Sequence, residues 1–207
     1  MEFTSYGSVD GFIPPGRRLG MPGPVIDAPS SPISNVLREL DETAIRNLLP
    51  HTGLAVVLDR VLIHEPTRAT GYFLVLADDV RIKSHFGVMP GVLIAEFAHL
   101  TGAVLLMHAT EEANIPVLNE TRFSVTEVVL PGDGLECNVT LVSQSERAFS
   151  FSAAIYKIHT GKLVATVSFT GTRIPKRVFQ RQLPRVEPCV NKVAPPGDPA
   201  HLVMGWN

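Results

Sequence analysis

The residues best suited to acid–base chemistry fall in one short run, Ser84-His85-Phe86-Gly87-Val88-Met89-Pro90-Gly91-Val92-Leu93-Ile94-Ala95-Glu96. It offers an imidazole at His85, a carboxylate at Glu96 and, between them, Pro90 and Gly91. Proline suits the first position of a helix, where its missing N–H costs nothing, and glycine leaves the backbone amides open to close approach. A helix start with free N–H groups and a partial positive charge suits a carbonyl oxygen that gains negative charge during a reaction. Glu96 falls inside an otherwise apolar stretch, where a carboxylate is costly to bury and marks a functional position. A base, an acid and an oxyanion site are the parts of a general acid–base site acting beside a carbonyl.

The other titratable and sulfur-bearing residues are read as structural. A lone histidine in an apolar stretch commonly serves only a hydrogen bond, but His85 stands beside Phe86 and a helix start, which favours catalysis. His99 and His108 form no ligand set with His85 at metal spacing, and both are assigned to structure. Cys137 and Cys189 are the only cysteines and lie outside any CxxC pattern, so they are read as reduced thiols. Asn138-Val139-Thr140 spells a glycosylation sequon but sits in a strand-like segment.

The elements that must position this run are legible from periodicity. From Pro90 to about Thr110 the apolar residues Val92, Leu93, Ile94, Phe97, Leu100, Val104, Leu105, Leu106 and Met107 cover nearly every side of a helical wheel, which predicts a buried helix. It is too short and too interrupted by Glu96, His99 and His108 for a membrane, and no stretch is expected to approach the length of a membrane span. Asp41 predicts the cap of a short helix through Leu49, closed by Pro50. Two strands are expected over Leu54 to Ile63 and Ala69 to Leu76, separated by the Glu65-Pro66 turn. After the Pro131-Gly132-Asp133-Gly134 turn, Leu135, Cys137, Val139 and Leu141 alternate with Glu136, Asn138 and Thr140. The same alternation returns from Phe149 to Ile158 and, past His159-Thr160-Gly161, from Lys162 to Thr170. A buried helix followed by an antiparallel meander able to cover it predicts an α+β domain in which a curved sheet wraps one long helix.

A chain of 207 residues, 45% hydrophobic and 18% charged, suffices for one core, and its net charge of -2 argues against a nucleic-acid binder. Residues 1–35 are rich in Pro and Gly and read as an arm. The folded domain is expected over 36–174. Residues 175–207 read as a basic, then Pro-rich tail, with a basic run of Arg173, Lys176, Arg177, Arg181 and Arg185 around its start. The N-terminus lacks the charged and apolar segments of a secretory signal, so a cytoplasmic protein is expected.

The segment from His85 to Glu96 resembles the bacterial 3-hydroxyacyl-acyl-carrier-protein dehydratase signature GHFPGxPVMPGVLIxEAMAQ. Leu48-Leu49-Pro50-His51 with Val57-Leu58-Asp59-Arg60-Val61 resembles LLPHRYPFLLVDRV, and Pro131-Gly132-Asp133-Gly134-Leu135 resembles PGDxL. The matches occur in order and cover most of residues 40–170. The resemblance implies the hot-dog fold and removal of water from a 3-hydroxyacyl thioester to give the trans-2-enoyl thioester, in fatty acid or polyketide-type biosynthesis. It implies that His85 takes the C2 proton, that Glu96 protonates or orients the departing hydroxyl, and that the Gly91 amide polarises the thioester carbonyl. Phe86, Met89, Pro90 and Val92 would flank the substrate. It further implies a homodimer or an assembly of dimers, with His85 and Glu96 of each site from different protomers. An acyl carrier protein or coenzyme A would carry the acyl group. Glutamate rather than aspartate at position 96 favours simple dehydration over dehydration with isomerisation.

This sequence departs from the family pattern twice. Only Gly87 stands between His85-Phe86 and Val88-Met89, where the pattern has PGxP, a loop shorter by three residues. Leu100 occupies the place of a family glutamine four residues after the glutamate. Two alternatives stand beside the dehydratase: a thioesterase on the same fold, with Glu96 activating water, and a non-catalytic acyl-binding or assembly protein. No cofactor is expected, since the chain has no glycine-rich phosphate loop, metal-ligand cluster or GxSxG elbow.

Overall fold

The structure is a computed structural model, which describes residues 36–51, 53–108 and 114–178. The expected arm over 1–35 and most of the expected tail over 175–207 lie outside the described residues. Strands β1 (Arg38–Asp41), β2 (Arg60–Glu65), β3 (Arg68–Leu74), β4 (Asn114–Val125), β5 (Gly134–Gln144), β6 (Ala148–Lys157) and β7 (Leu163–Pro175) form one antiparallel sheet of order β1-β2-β3-β5-β6-β7-β4. Helix α1 (Glu42–Leu48) follows β1. The short α2 (Val80–Lys83) and the long α3 (Gly91–His108) lie between β3 and β4.

Helix α3 is held against one face of the sheet and touches β2 to β7 as well as α1. Ten of its 18 residues are buried, among them Ile94, Phe97, Leu100, Val104 and Leu105. By length and composition alone α3 could cross a membrane, contrary to the expectation that no segment reaches that size. In this fold 56% of it is buried within the protein.

The sheet reads as its alternation predicts. Leu135, Cys137 and Val139 of β5 point into the core with Ala69, Gly71 and Phe73 of β3 opposite them. The outward residues Thr70, Asn138 and Glu136 form a hydrogen-bonded chain with His64, whose Nε2 lies 2.9 Å from Thr70 Oγ1. The Cys137 thiol is fully buried under α3, and burial pushes its pKa up, so it stays protonated. Cys189 lies outside the described residues.

Asp41 caps α1 as expected, its Oδ1 accepting from Ala44 N–H at 2.8 Å. The strand expected over Leu54 to Ile63 is shorter. Gly53–Ala55 is a 3-10 turn and Val56, Val57 and Leu58 run unpaired into the core, so the ladder starts only at Arg60. Strands β1 and β4 were not foreseen. Arg173 also departs from its expected place in a basic run after the last strand: it lies within β7 opposite Pro116, and its Nε and Nη2 are buried without a hydrogen-bond partner. Lys176 and Arg177 are exposed, and Arg181 and Arg185 lie outside the described residues.

The Pro131-Gly132-Asp133-Gly134 turn ties β3 to β5. Gly132 N–H donates to Val75 O, and Val75 N–H to Asp133 O. The Asp133 carboxylate accepts from Leu130 N–H at 2.8 Å and pairs with Lys157 Nζ at 2.7 Å. Burial raises the pKa of this carboxyl, but the Leu130 amide and the Lys157 ammonium outweigh burial and hold it below the usual carboxylate range. Its contribution to stability is therefore complete above the unfolded value, about 3.9, and is lost as pH falls through the lower folded value. Asp133→Asn is expected to lower stability at pH 7 and to flatten the loss of stability below pH of about 4, read by urea unfolding across pH.

Gly102 gives the helix its close approach to β7. A Cβ there would meet Phe169 Cζ at 2.8 Å, and the Phe169 ring is already stacked on Phe151 at 5.0 Å. Alanine in a helix would gain about 1 kcal/mol over glycine, but overpacking a fixed ring costs about 1–3 kcal/mol. Gly102→Ala is expected to be destabilising in denaturant unfolding. Gly171→Ala should lose at least as much, because a Cβ there collides with Phe149 and with the Val117 carbonyl of the neighbouring backbone.

Candidate active site

The segment before α3 is coiled tightly. Asp79 caps α2, accepting from Arg81 N–H at 2.8 Å, and the Arg81 side chain bonds both Asp79 and the Leu54 carbonyl. His85 and Gly87 both donate their N–H to Ile82 O, and Val88 donates to His85 O. The turn closes through two successive left-handed residues, Phe86 at φ 57 and Gly87 at φ 72. That conformation is ordinary for glycine and strained for a bulky residue. Phe86 is thrown outward and is 96% exposed. His85 is also exposed, with Nδ1 3.2 Å from Val88 O.

Met89 anchors the start of α3. Its side chain is buried in the core and its N–H donates to Val129 O at 3.0 Å. Pro90 stands one place before the helix rather than at its first position, and its carbonyl accepts from Leu93 and Ile94 N–H. The N–H groups of Gly91 and Val92 have no acceptor among the described residues, as the first turn of a helix requires. Gly91 faces β4, where a methyl group would lie 3.6 Å from Phe123 and from Val125.

One stripe of α3 is less covered than the rest. Val92, Glu96, His99 and Ala103 recur at helical spacing, and Val92 is 67% exposed. This stripe runs beside β4, an edge strand whose Phe123 and Val125 are also exposed. Glu96 Oε2 lies 3.2 Å from His99 Nδ1, and His99 Nε2 lies 3.1 Å from Thr121 Oγ1 on β4. The His99 ring meets Phe169 edge-on at 4.9 Å.

The structure thus gathers Gly91, Val92 and Glu96 on one side of the helix, next to β4. Within a single chain it does not join His85 to Glu96: their side chains bond Val88 and His99 respectively. His99 and Thr121 are polar side chains that sequence reasoning did not place beside Glu96. His99 was detectable from its spacing of three residues after Glu96, which shares a helical face. Thr121 lies on a strand with no sequence signature. His108 is a structural contact of Arg38, with Nδ1 3.1 Å from Nη1, and burial together with that guanidinium lowers its pKa. Among the described residues no group of three His, Cys, Asp or Glu side chains is placed to hold a metal ion.

No family model matches the chain. Curated relatives do, among them several named 3-hydroxyacyl-acyl-carrier-protein dehydratase FabZ. That of Latilactobacillus sakei is 34% identical over 140 residues, 62% of this chain and 89% of the relative. The Bacillus velezensis protein is 31% identical over 139 residues, 63% and 96% of the two chains, and a Rickettsia bellii protein is 28% identical over 138 residues, 63% and 94%. Among solved structures, zebra fish thioesterase superfamily member 2 superposes with a TM-score of 0.52 at 14% identity, over 64% of this chain and 98% of its own. The smu.793 protein of Streptococcus mutans, bound to acetyl CoA, gives 0.50 at 12% identity, over 61% and 96%. These structural likenesses establish the hot-dog fold and nothing finer. The spread of identity over nearly the whole length of the relatives, with the His85 to Glu96 segment at the helix start, makes this chain a member of the FabZ family of 3-hydroxyacyl-acyl-carrier-protein dehydratases.

Proposed function

We propose that this protein is a hydro-lyase that removes water from a 3-hydroxyacyl thioester to give the trans-2-enoyl thioester, inside the cell. The observation that carries this reading is the placement of Glu96. The carboxylate lies on the least covered stripe of an otherwise buried helix, on the same helix as two free amides at its start and beside an edge strand. One-third exposed and bonded to His99, the carboxylate is open to a substrate that reaches this stripe.

In this reading the edges of β4 from two protomers pair across a two-fold axis, which removes twelve residues of open strand. The pairing brings His85 of one chain toward Glu96 of the other. His85 takes the C2 proton, Glu96 gives a proton to the leaving 3-hydroxyl, and the Gly91 amide receives the charge that develops on the thioester oxygen. Val92 and Phe86, both exposed in one protomer, and Pro90 line the acyl path, while Met89 supports the helix start from the core. The acyl group arrives on an acyl carrier protein or on coenzyme A. The exposed Lys176 and Arg177 lie at the end of β7, where they would meet an acidic carrier.

Enoyl hydration is the test, with crotonyl and longer enoyl thioesters followed by loss of the enoyl absorbance. The dehydratase reading expects that loss without release of free thiol, whereas thiol release without enoyl loss would make the protein a thioesterase. His85→Ala and Glu96→Gln are each expected to lower turnover by about 10²-fold or more with the fold retained. Unchanged turnover in either removes that residue from the mechanism. Light scattering at micromolar concentration is expected to give a dimer or a multiple of it, and a monomer would leave both His85 and Glu96 without their partners.

A further inference from the structure

The carboxylate proposed as the acid is held from behind. Glu96 and His99 stand one turn apart on the stripe of α3 beside β4, and the His99 side chain is 12% exposed against 33% for Glu96. Nδ1 of the imidazole faces Glu96 Oε2 at 3.2 Å, and Nε2 faces the Thr121 hydroxyl at 3.1 Å. The Phe169 ring fixes the imidazole plane from the side at 4.9 Å. Leu100, in the place of the family glutamine, is buried in the core and has no hydrogen-bond donor to offer Glu96 from its side chain.

We propose that His99 is a positioning residue for Glu96, held by Thr121 and substituting for the polar partner that Leu100 has removed. The inference rests on the dehydratase reading of Glu96. Whether ionised or carrying its proton on Oε1, the Glu96 carboxyl presents Oε2 as an acceptor, which sets a proton on His99 Nδ1, and the Thr121 hydroxyl donates to Nε2 and fixes that tautomer. With Oε2 occupied, Oε1 is the oxygen that carries the acidic proton toward the substrate. The C2–H bond breaks and its proton goes to His85. The electron pair forms the C2=C3 bond, the C3–O bond breaks, and the hydroxyl leaves as water with the proton from Oε1. The carboxylate that results keeps the Nδ1–H bond at Oε2, so the charge formed at this step meets a donor already in place.

The test combines kinetics of crotonyl-coenzyme A hydration with 15N NMR of the imidazoles in the full chain. His99→Leu is expected to lower kcat about ten- to a hundred-fold, the scale of one hydrogen bond to a charged group, with KM changed less than about two-fold. Thr121→Val should give a smaller fall in the same direction. His99→Asn, whose side-chain NH2 can reach where Nδ1 stood, should recover most of the loss. The NMR signal of His99 should show a protonated Nδ1. Wild-type kcat in His99→Leu, equal losses in the Asn and Leu variants, or a bare Nδ1 would overturn the inference. Full turnover in Glu96→Gln would remove the acid role and this inference with it. Full turnover in His99→Leu beside an inactive Glu96→Gln would remove the inference alone.

Discussion

The structure depends on covering α3. A helix with apolar residues on nearly every side has no face to leave in water, and each fully buried Leu, Ile, Val or Phe side chain on it contributes about 1.5–3 kcal/mol. A hydrogen-bonded pair at its rim contributes about 1 kcal/mol by comparison. Apolar packing therefore decides where the helix sits, and Glu96 and His99 go where the helix carries them. The close approaches follow from the same demand: Gly71 leaves room for Thr101, and Gly102 for Phe169. Precision in the polar site is inherited from the rigidity of the apolar one.

One protomer does not complete the cover. The sheet ends at β4, and the helix stripe next to it keeps Val92, Glu96 and His99 partly in water. Phe123 and Val125 on β4 point toward that stripe and remain exposed. The uncovered part of the core and the polar groups with chemical potential are thus the same place. A second chain laid along β4 would satisfy the open strand edge and close an apolar space around the carboxylate in one step.

What was legible in the sequence follows from how each element is buried. Helix α3 and strands β5 to β7 announced themselves because burial on all sides, or on alternate sides, leaves a periodic trace. Strand β4 left none. As an edge strand with Pro116 and the polar run Asn119 to Arg122, it is exposed along most of its length, so its residues do not alternate. Leu54 to Leu58 misled in the opposite sense: Val56, Val57 and Leu58 are apolar because they plug the core, with no strand pairing behind them. At the site, His85, Gly91 and Glu96 were legible as a motif, but His99 became visible as a partner only when the helix placed its Nδ1 on the Glu96 oxygen. Thr121 could not be found at all before β4 was known.

The shortened loop explains the last unusual feature of the site. Three residues fewer must still carry the chain from Ile82, buried in the core, to Met89, also buried. A four-residue helix followed by a coil with two amides on the Ile82 carbonyl achieves this in little length, but it requires two left-handed residues in succession. Gly87 accepts that conformation at no steric cost, whereas Phe86 incurs roughly 1–3 kcal/mol. Glycine at 86 would serve the turn better, and an aromatic ring that is 96% exposed adds nothing to the core of its own protomer. The deletion therefore compacts the loop around His85 without burying it, and leaves the histidine and the phenyl ring presented together on the surface.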